Sequence, residues 1–302
     1  MKRVIVHVCT VVAVVAAATT GCAQDSGRAS APPPRELTQA ERLRISDATE
    51  VLIKQCMNRA GFSYWTGPRL SLEESRPLDY VNDDVDWARE HGYGSRIRDK
   101  EDRARRANPN GTYRAGLSAP RRKAYDEALD GGLGATILTT EIPTGAGKGS
   151  VHKRWGGCSA EAGEKLYGDP VAWFRADKAV TNLQPLYVPR ITRDRTFTEA
   201  LAAWSRCMTR AGHVYPDPPA AQDAVAGNAS GRSPGEAFEV ETRVAVAEAR
   251  CAHETSFATI ARERQAYYVG TLPDRYTELI GTHRRLQRDA FARAAEVTGP
   301  RV

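Results

Sequence analysis

Residues 4–18 are almost unbroken apolar, interrupted only by His7, Cys9 and Thr10, and no later stretch is as hydrophobic. As a helix this run would reach about 22 Å, short of a hydrocarbon core of about 30 Å. With Lys2 and Arg3 before it and small residues Thr19, Thr20 and Gly21 after it, the pattern predicts an export leader over 1–21 rather than a permanent membrane span. Beyond the leader, residues 23–36 are rich in Ser, Ala and Pro, with Pro32, Pro33 and Pro34 in a row. That composition predicts an extended spacer over 22–36.

From Leu37 onward the pattern turns helical. Thr38 with Glu41 forms a capping box, Val51, Leu52 and Ile53 supply a buried face, and Gly61 closes the helix. A second helix follows the same plan, with Thr196 and Glu199 opening it, Ala200, Leu201, Ala203 and Trp204 on one face, and Gly212 at the end. Between them the sequence predicts a short helix over 78–92 around Trp87, a charged helical face over 96–106 and a helix over 119–129. A strand over 135–142 turns through 145–149 and returns along 151–155 as a hairpin, and Asp169-Pro170 opens a helix toward residue 183. Pro185 and Pro189 mark a junction, 216–231 reads as a flexible loop, and helices are expected over 234–268 and 273–297. The fold class is mainly α.

One nine-residue block occurs twice. Cys56-Met57-Asn58-Arg59-Ala60-Gly61-Phe62-Ser63-Tyr64 recurs 151 residues later as Cys207-Met208-Thr209-Arg210-Ala211-Gly212-His213-Val214-Tyr215, identical at six of nine positions. Each copy is followed by a second Cys-x-x-Glu, at Cys158 with Glu161 and at Cys251 with Glu254. If equivalent cysteines pair equivalently, the bridges are Cys56 with Cys158 and Cys207 with Cys251. The rival is a bridge across the copies, such as Cys56 with Cys207. The expected architecture is two disulfide-linked helical units, 37–184 and 185–302, with a small β-hairpin in an insertion of about 58 residues in the first. Loops this long would each stabilise the fold by roughly 4 to 5 kcal/mol in the chain-entropy account, which explains the four cysteines without redox chemistry.

Composition adds little about partners. The formal charge of +6 falls by two when Lys2 and Arg3 leave with the leader, and 35 arginines stand against 8 lysines. So mild a charge gives no reason to expect nucleic acid. Setting aside Cys9 in the leader and Cys22 directly after it, four cysteines remain, an even count that fits an oxidising compartment.

Thr19-Thr20-Gly21-Cys22 resembles a bacterial lipobox, with Thr19 where leucine is usual. The resemblance implies acylation of Cys22 and attachment to the outer face of the cytoplasmic membrane; the alternative is ordinary cleavage and secretion. Taken with the two Cys-Met-x-Arg-Ala-Gly-x-x-Tyr blocks, Trp204-Ser205-Arg206, and Gly157-Cys158 leading to Leu166-Tyr167-Gly168, the chain resembles a group of uncharacterised exported lipoproteins of actinobacteria. The resemblance bears on location and fold and carries over no catalytic residue.

Candidate chemistry is sparse. Gly231-Arg232-Ser233-Pro234-Gly235 has the spacing of a nucleophile elbow, but Pro234 has no N–H for an oxyanion hole, and Ser233 with Glu236 reads as a helix cap. The glycine and lysine of 145–150 lack the pattern of a phosphate loop. His91, His152, His213, His253 and His283 show no metal-ligand spacing, so neither metal nor cofactor is expected. Asp83, Asp84 and Asp86 beside Tyr80 and Trp87 have the makings of a glycan-cleaving carboxylate pair, set against helix capping. Tyr64, Trp65 and Tyr215 follow the helix-closing glycines and are the candidate binding residues, either as an aromatic shelf or as covers for the disulfides. The expectation is a non-catalytic binding module at the envelope, with a wall polymer or an envelope protein as partner and no oligomeric state set. The alternative is a cell-wall or carbohydrate hydrolase.

Overall fold

A computed structural model describes residues 35–144 and 147–299. The leader, Cys22, the proline run and Gly145-Ala146 lie outside the described residues. Helix α1 (Gln39–Arg59) starts at the expected capping box, where Thr38 accepts from Glu41 N–H and Glu41 accepts from Thr38 N–H. It ends where Gly61, at φ 79°, lets Phe62 N–H reach back to the Met57 carbonyl at 3.0 Å. The insertion holds α2 (Val85–His91), α3 (Ser95–Arg106), α4 (Pro109–Gly116) and α5 (Ala119–Asp130). Antiparallel strands β1 (Thr136–Thr144) and β2 (Gly147–Trp155) follow, in register from Thr136 opposite Trp155 to Thr144 opposite Gly147.

The chain continues through α6 (Gly157–Tyr167), α7 (Pro170–Val180), α8 (Gln184–Ile191), α9 (Arg195–Arg210), α10 (Pro218–Gly227), α11 (Pro234–Glu254), α12 (Phe257–Gly270) and α13 (Asp274–Thr298). Both disulfides join equivalent cysteines, Cys56 to Cys158 (Cα–Cα 5.5 Å) and Cys207 to Cys251 (5.6 Å). The fold is mainly α with one hairpin, and no described helix is long and apolar enough to cross a membrane.

Two large apolar cores surround the two bridges. The first gathers Leu52 and Met57 of α1, Tyr125 of α5 and Leu166 of α6 around Cys158. The second gathers Trp204 and Met208 of α9, Val244 of α11 and Phe257 of α12 around Cys207 and Cys251. Neither core is built from one half of the sequence alone. Val81 of the insertion is buried in the second core, whereas Ala290 and Ala294 of α13 are buried in the first. At 25 residues α13 is about 37 Å long, enough to serve both, with Tyr276 in the second core at its other end. A stack of Tyr167, Trp173 and His283, with ring centroids 3.8 and 5.2 Å apart, ties it to α6 and α7.

Several local expectations change. Only 85–91 of the stretch 78–92 is helical, because Asp84 accepts from Trp87 N–H and caps α2 there. Asp194, not Thr196, caps α9, accepting from Phe197 N–H at 3.0 Å. Pro185 falls in the first turn of a helix, where its missing N–H costs nothing, and so lies in α8 rather than a junction. The segment 216–231 contains α10, started by Asp217 and Pro218 and held by buried Ala221 and Val225. The helix expected over 234–268 breaks at Ser256, at φ 57°, a turn that brings Phe257 fully into the second core.

Candidate functional site

The polar face of α1 and the irregular segment after it enclose a cavity of about 470 Å³, within the range of small-ligand sites. Asp47 and Glu50 reach it from α1, Tyr64 and Thr66 from the segment, and Asn108 and Asn110 from the start of α4. The segment is placed from both ends. Phe62 packs edge-on against Tyr125 at 5.3 Å, with the Arg121 guanidinium 4.3 Å over its face. Arg69 pairs with Asp47 at 3.0 Å. Between these points the Asn110 side-chain amide accepts from Trp65 N–H at 2.9 Å and donates to the Trp65 carbonyl at 2.7 Å. Asn110 therefore holds both backbone polar groups of one residue.

Side chains alternate along this segment. Tyr64 turns into the cavity and its hydroxyl donates to Glu50 Oε2 at 3.4 Å, whereas Trp65 turns against Tyr113, with ring centroids 5.6 Å apart. Burial raises the Glu50 carboxyl above its ordinary value, opposed by the Tyr64 hydroxyl and the Gly67 N–H, and pushes the Tyr64 hydroxyl up to about 12. At neutral pH Tyr64 is thus a neutral donor. Trp65 stays 41% exposed.

The segment 67–69 also borders a second, mostly apolar cavity of about 520 Å³, lined by Leu43 and Leu70 on one side and Ala104 and Ala107 on the other. Arg69 lines both cavities. A polar chamber and an apolar one therefore lie side by side along α1.

The expected binding residues do not form one shelf. Tyr64 and Trp65 are neighbours facing different ways, and Tyr215 packs against the second core, where its carbonyl accepts from Ser205 Oγ at 2.7 Å. Each tyrosine covers the core of its own disulfide, and Tyr64 lines the polar cavity as well. The three aspartates beside Trp87 are occupied. Asp84 caps α2 and pairs with Arg76 at 2.7 Å, Asp83 bonds Arg262 at 2.8 Å, and Asp86 pairs with Arg89. Ser233 caps α11 as expected, with Glu236 completing the box.

Sequence reasoning missed Asp47, Glu50, Arg69, Asn108 and Asn110. Asp47 and Glu50 stand three apart on α1, and Asn108-Pro109 is a helix-start pair, yet nothing local says that the two elements meet. Comparison of the chain with protein-family models, with curated proteins and with solved structures finds no match.

Proposed function

We propose that this is an exported lipoprotein, anchored through acyl groups on Cys22 to the outer face of the cytoplasmic membrane, that binds a hydroxylated wall polymer along the Tyr64 cleft. Two disulfides support folding in an oxidising compartment. The observation that carries the ligand class is the Asn110 clamp, which fixes the backbone of exposed Trp65 between Tyr64 and Thr66, while Tyr64, Thr66 and Asn108 offer neutral donors and acceptors in the cavity. A sugar chain presents that pairing of needs, with C–H faces for an aromatic ring and hydroxyls for amides and phenols.

Co-sedimentation of the acyl-free mature chain with purified wall sacculi tests the reading. Wild type is expected in the pellet, and Trp65→Ala and Tyr64→Ala are expected in the supernatant with unchanged circular dichroism. Equal pelleting of all three would overturn it. One observation favours hydrolysis instead, the raised Glu50 carboxyl, which would suit an acid catalyst. Asp47, the other carboxylate of the cavity, is held by Arg69, which leaves no second group poised to act. Release of soluble sugars in the same assay, lost in Glu50→Gln, would replace binding with cleavage.

A further inference from the structure

Beyond Arg69 the segment passes through a tight turn before reaching α2. Ser71 N–H donates to Glu74 at 2.9 Å, Glu74 N–H donates to Ser71 Oγ at 3.1 Å, and Lys100 Nζ holds the Glu74 carboxylate at 2.7 Å. The Glu73 carbonyl accepts from the Trp87 indole N–H at 3.4 Å. This turn sets the Glu73 side chain beside the end of α2, next to Glu90 and His91.

His91 is held as firmly. Its ring packs on Trp87, with centroids 5.0 Å apart. The backbone just past it is fixed by buried Glu241 of α11, which accepts from Tyr93 N–H at 2.7 Å and Ser95 N–H at 3.1 Å. The nearest guanidinium on Trp87, that of Arg76, is engaged by Asp84 and Asn82.

His91 Nε2 is sealed from solvent yet has no hydrogen-bond partner among the described residues. It faces Glu73 Oε1 and Glu90 Oε1, each at 3.8 Å, and one ligand atom from each of the three residues falls within 4.8 Å of the others. A separation of 3.8 Å is too long for a hydrogen bond. It is close to the ligand-to-ligand edge of a coordination sphere, about 3.4 Å for tetrahedral bonds of about 2.1 Å. The two glutamate side chains, 60% and 69% exposed, are free to close the difference.

We propose that Glu73, Glu90 and His91 bind a divalent transition-metal ion of the zinc class, which fastens the 71–75 turn to the end of α2. One imidazole nitrogen with two carboxylate oxygens favours zinc over magnesium or calcium, which prefer all-oxygen sites. Water completes the sphere on the glutamate side.

The test uses the full exported chain, freed of metal by chelator and titrated calorimetrically at pH 7.5 with zinc chloride, magnesium chloride and calcium chloride in turn. One equivalent of zinc is expected, bound at least tenfold more tightly than either other ion. The melting temperature should rise by about 5 °C when zinc stands about a hundredfold above its dissociation constant. Glu73→Gln with Glu90→Gln, both on exposed side chains, should weaken zinc at least tenfold without changing the metal-free melting temperature, and the His91 Nε2 resonance should move on zinc addition in wild type only. Zinc binding no tighter than calcium binding would overturn the proposal, as would equal zinc affinity in the double variant. An imidazolium merely paired with two carboxylates would give a pH-dependent melting temperature indifferent to zinc, which also overturns it.

Discussion

Glu248→Gln should remove a pH dependence built into the second half of the fold. Glu248 is 1% exposed on α11, and its Oε2 accepts from the Tyr93 hydroxyl at 2.7 Å. The Gln222 side chain of α10 and the Asn82 N–H also face it, with the Tyr80 hydroxyl near enough to feel its charge and Glu241 on its own helix at the Tyr93 backbone. Burial outweighs these donors and pushes the carboxyl up to about 7. An unfolded glutamate titrates near 4.3. Between these values the folded chain holds a proton that the unfolded chain has released, so stability falls as pH rises through the window and the contribution is gone above about 7. A displacement of that size corresponds to about 4 kcal/mol, of which about 2 to 3 kcal/mol lies between pH 5 and 8. Glutamine cannot titrate and still offers an acceptor to Tyr93. Urea unfolding of both proteins with disulfides intact, followed by circular dichroism, should show the variant gaining about 2 to 3 kcal/mol on wild type from pH 5 to pH 8. Carboxyls held down to about 2, such as Glu41 beside Arg35 and Glu74 beside Lys100, are common to both proteins and cancel. A difference between the two proteins that is the same at both pH values would refute the reasoning.

Replacing Cys207 and Cys251 by serine should cost about 4 kcal/mol, and replacing Cys56 and Cys158 about 5 kcal/mol, because the bridges span 44 and 102 residues. Denaturant midpoints of the two double variants measure both, and an unchanged midpoint would contradict the structural role. Gly157→Ala should destabilise by about 2 kcal/mol or more: at φ 56° a Cβ would meet the Ala128 carbonyl oxygen at 2.4 Å, and that backbone has no side chain to move aside. A melting temperature equal to wild type would show that the α5–α6 approach is looser than described.

Features legible in the sequence are those whose cause is local. The capping boxes of Thr38 with Glu41 and Ser233 with Glu236, the closing glycines Gly61 and Gly212, and the hairpin all depend on neighbours within a few residues. The cysteine pairing was legible for a different reason, since repetition stands in for distance. Errors arose where two local signals competed. Asp194 displaced Thr196 because a carboxylate at the helix start is also stabilised by the dipole and by Arg264. The polar, proline-rich look of 216–231 hid the buried Ala221 and Val225 of α10. The cleft was least legible, because α1, the segment 64–69 and the start of α4 are far apart in sequence and meet through tertiary contacts such as the Asn110 clamp, the Tyr64–Glu50 bond and the Arg69–Asp47 pair. Glu241 and Glu248 left one readable trace, two acids seven apart on the same face as Val244, Ala245 and Ala249. Acids inside an apolar stripe mark partners that come from elsewhere in the chain.

The most direct test of the whole account is the intact mass of the native protein extracted from the membrane fraction, before and after reduction. The account expects a chain beginning at Cys22 that carries acyl groups and gains four hydrogens on reduction, two for each bridge. A chain that keeps residues 1–21, or one whose mass reduction leaves unchanged, would contradict it.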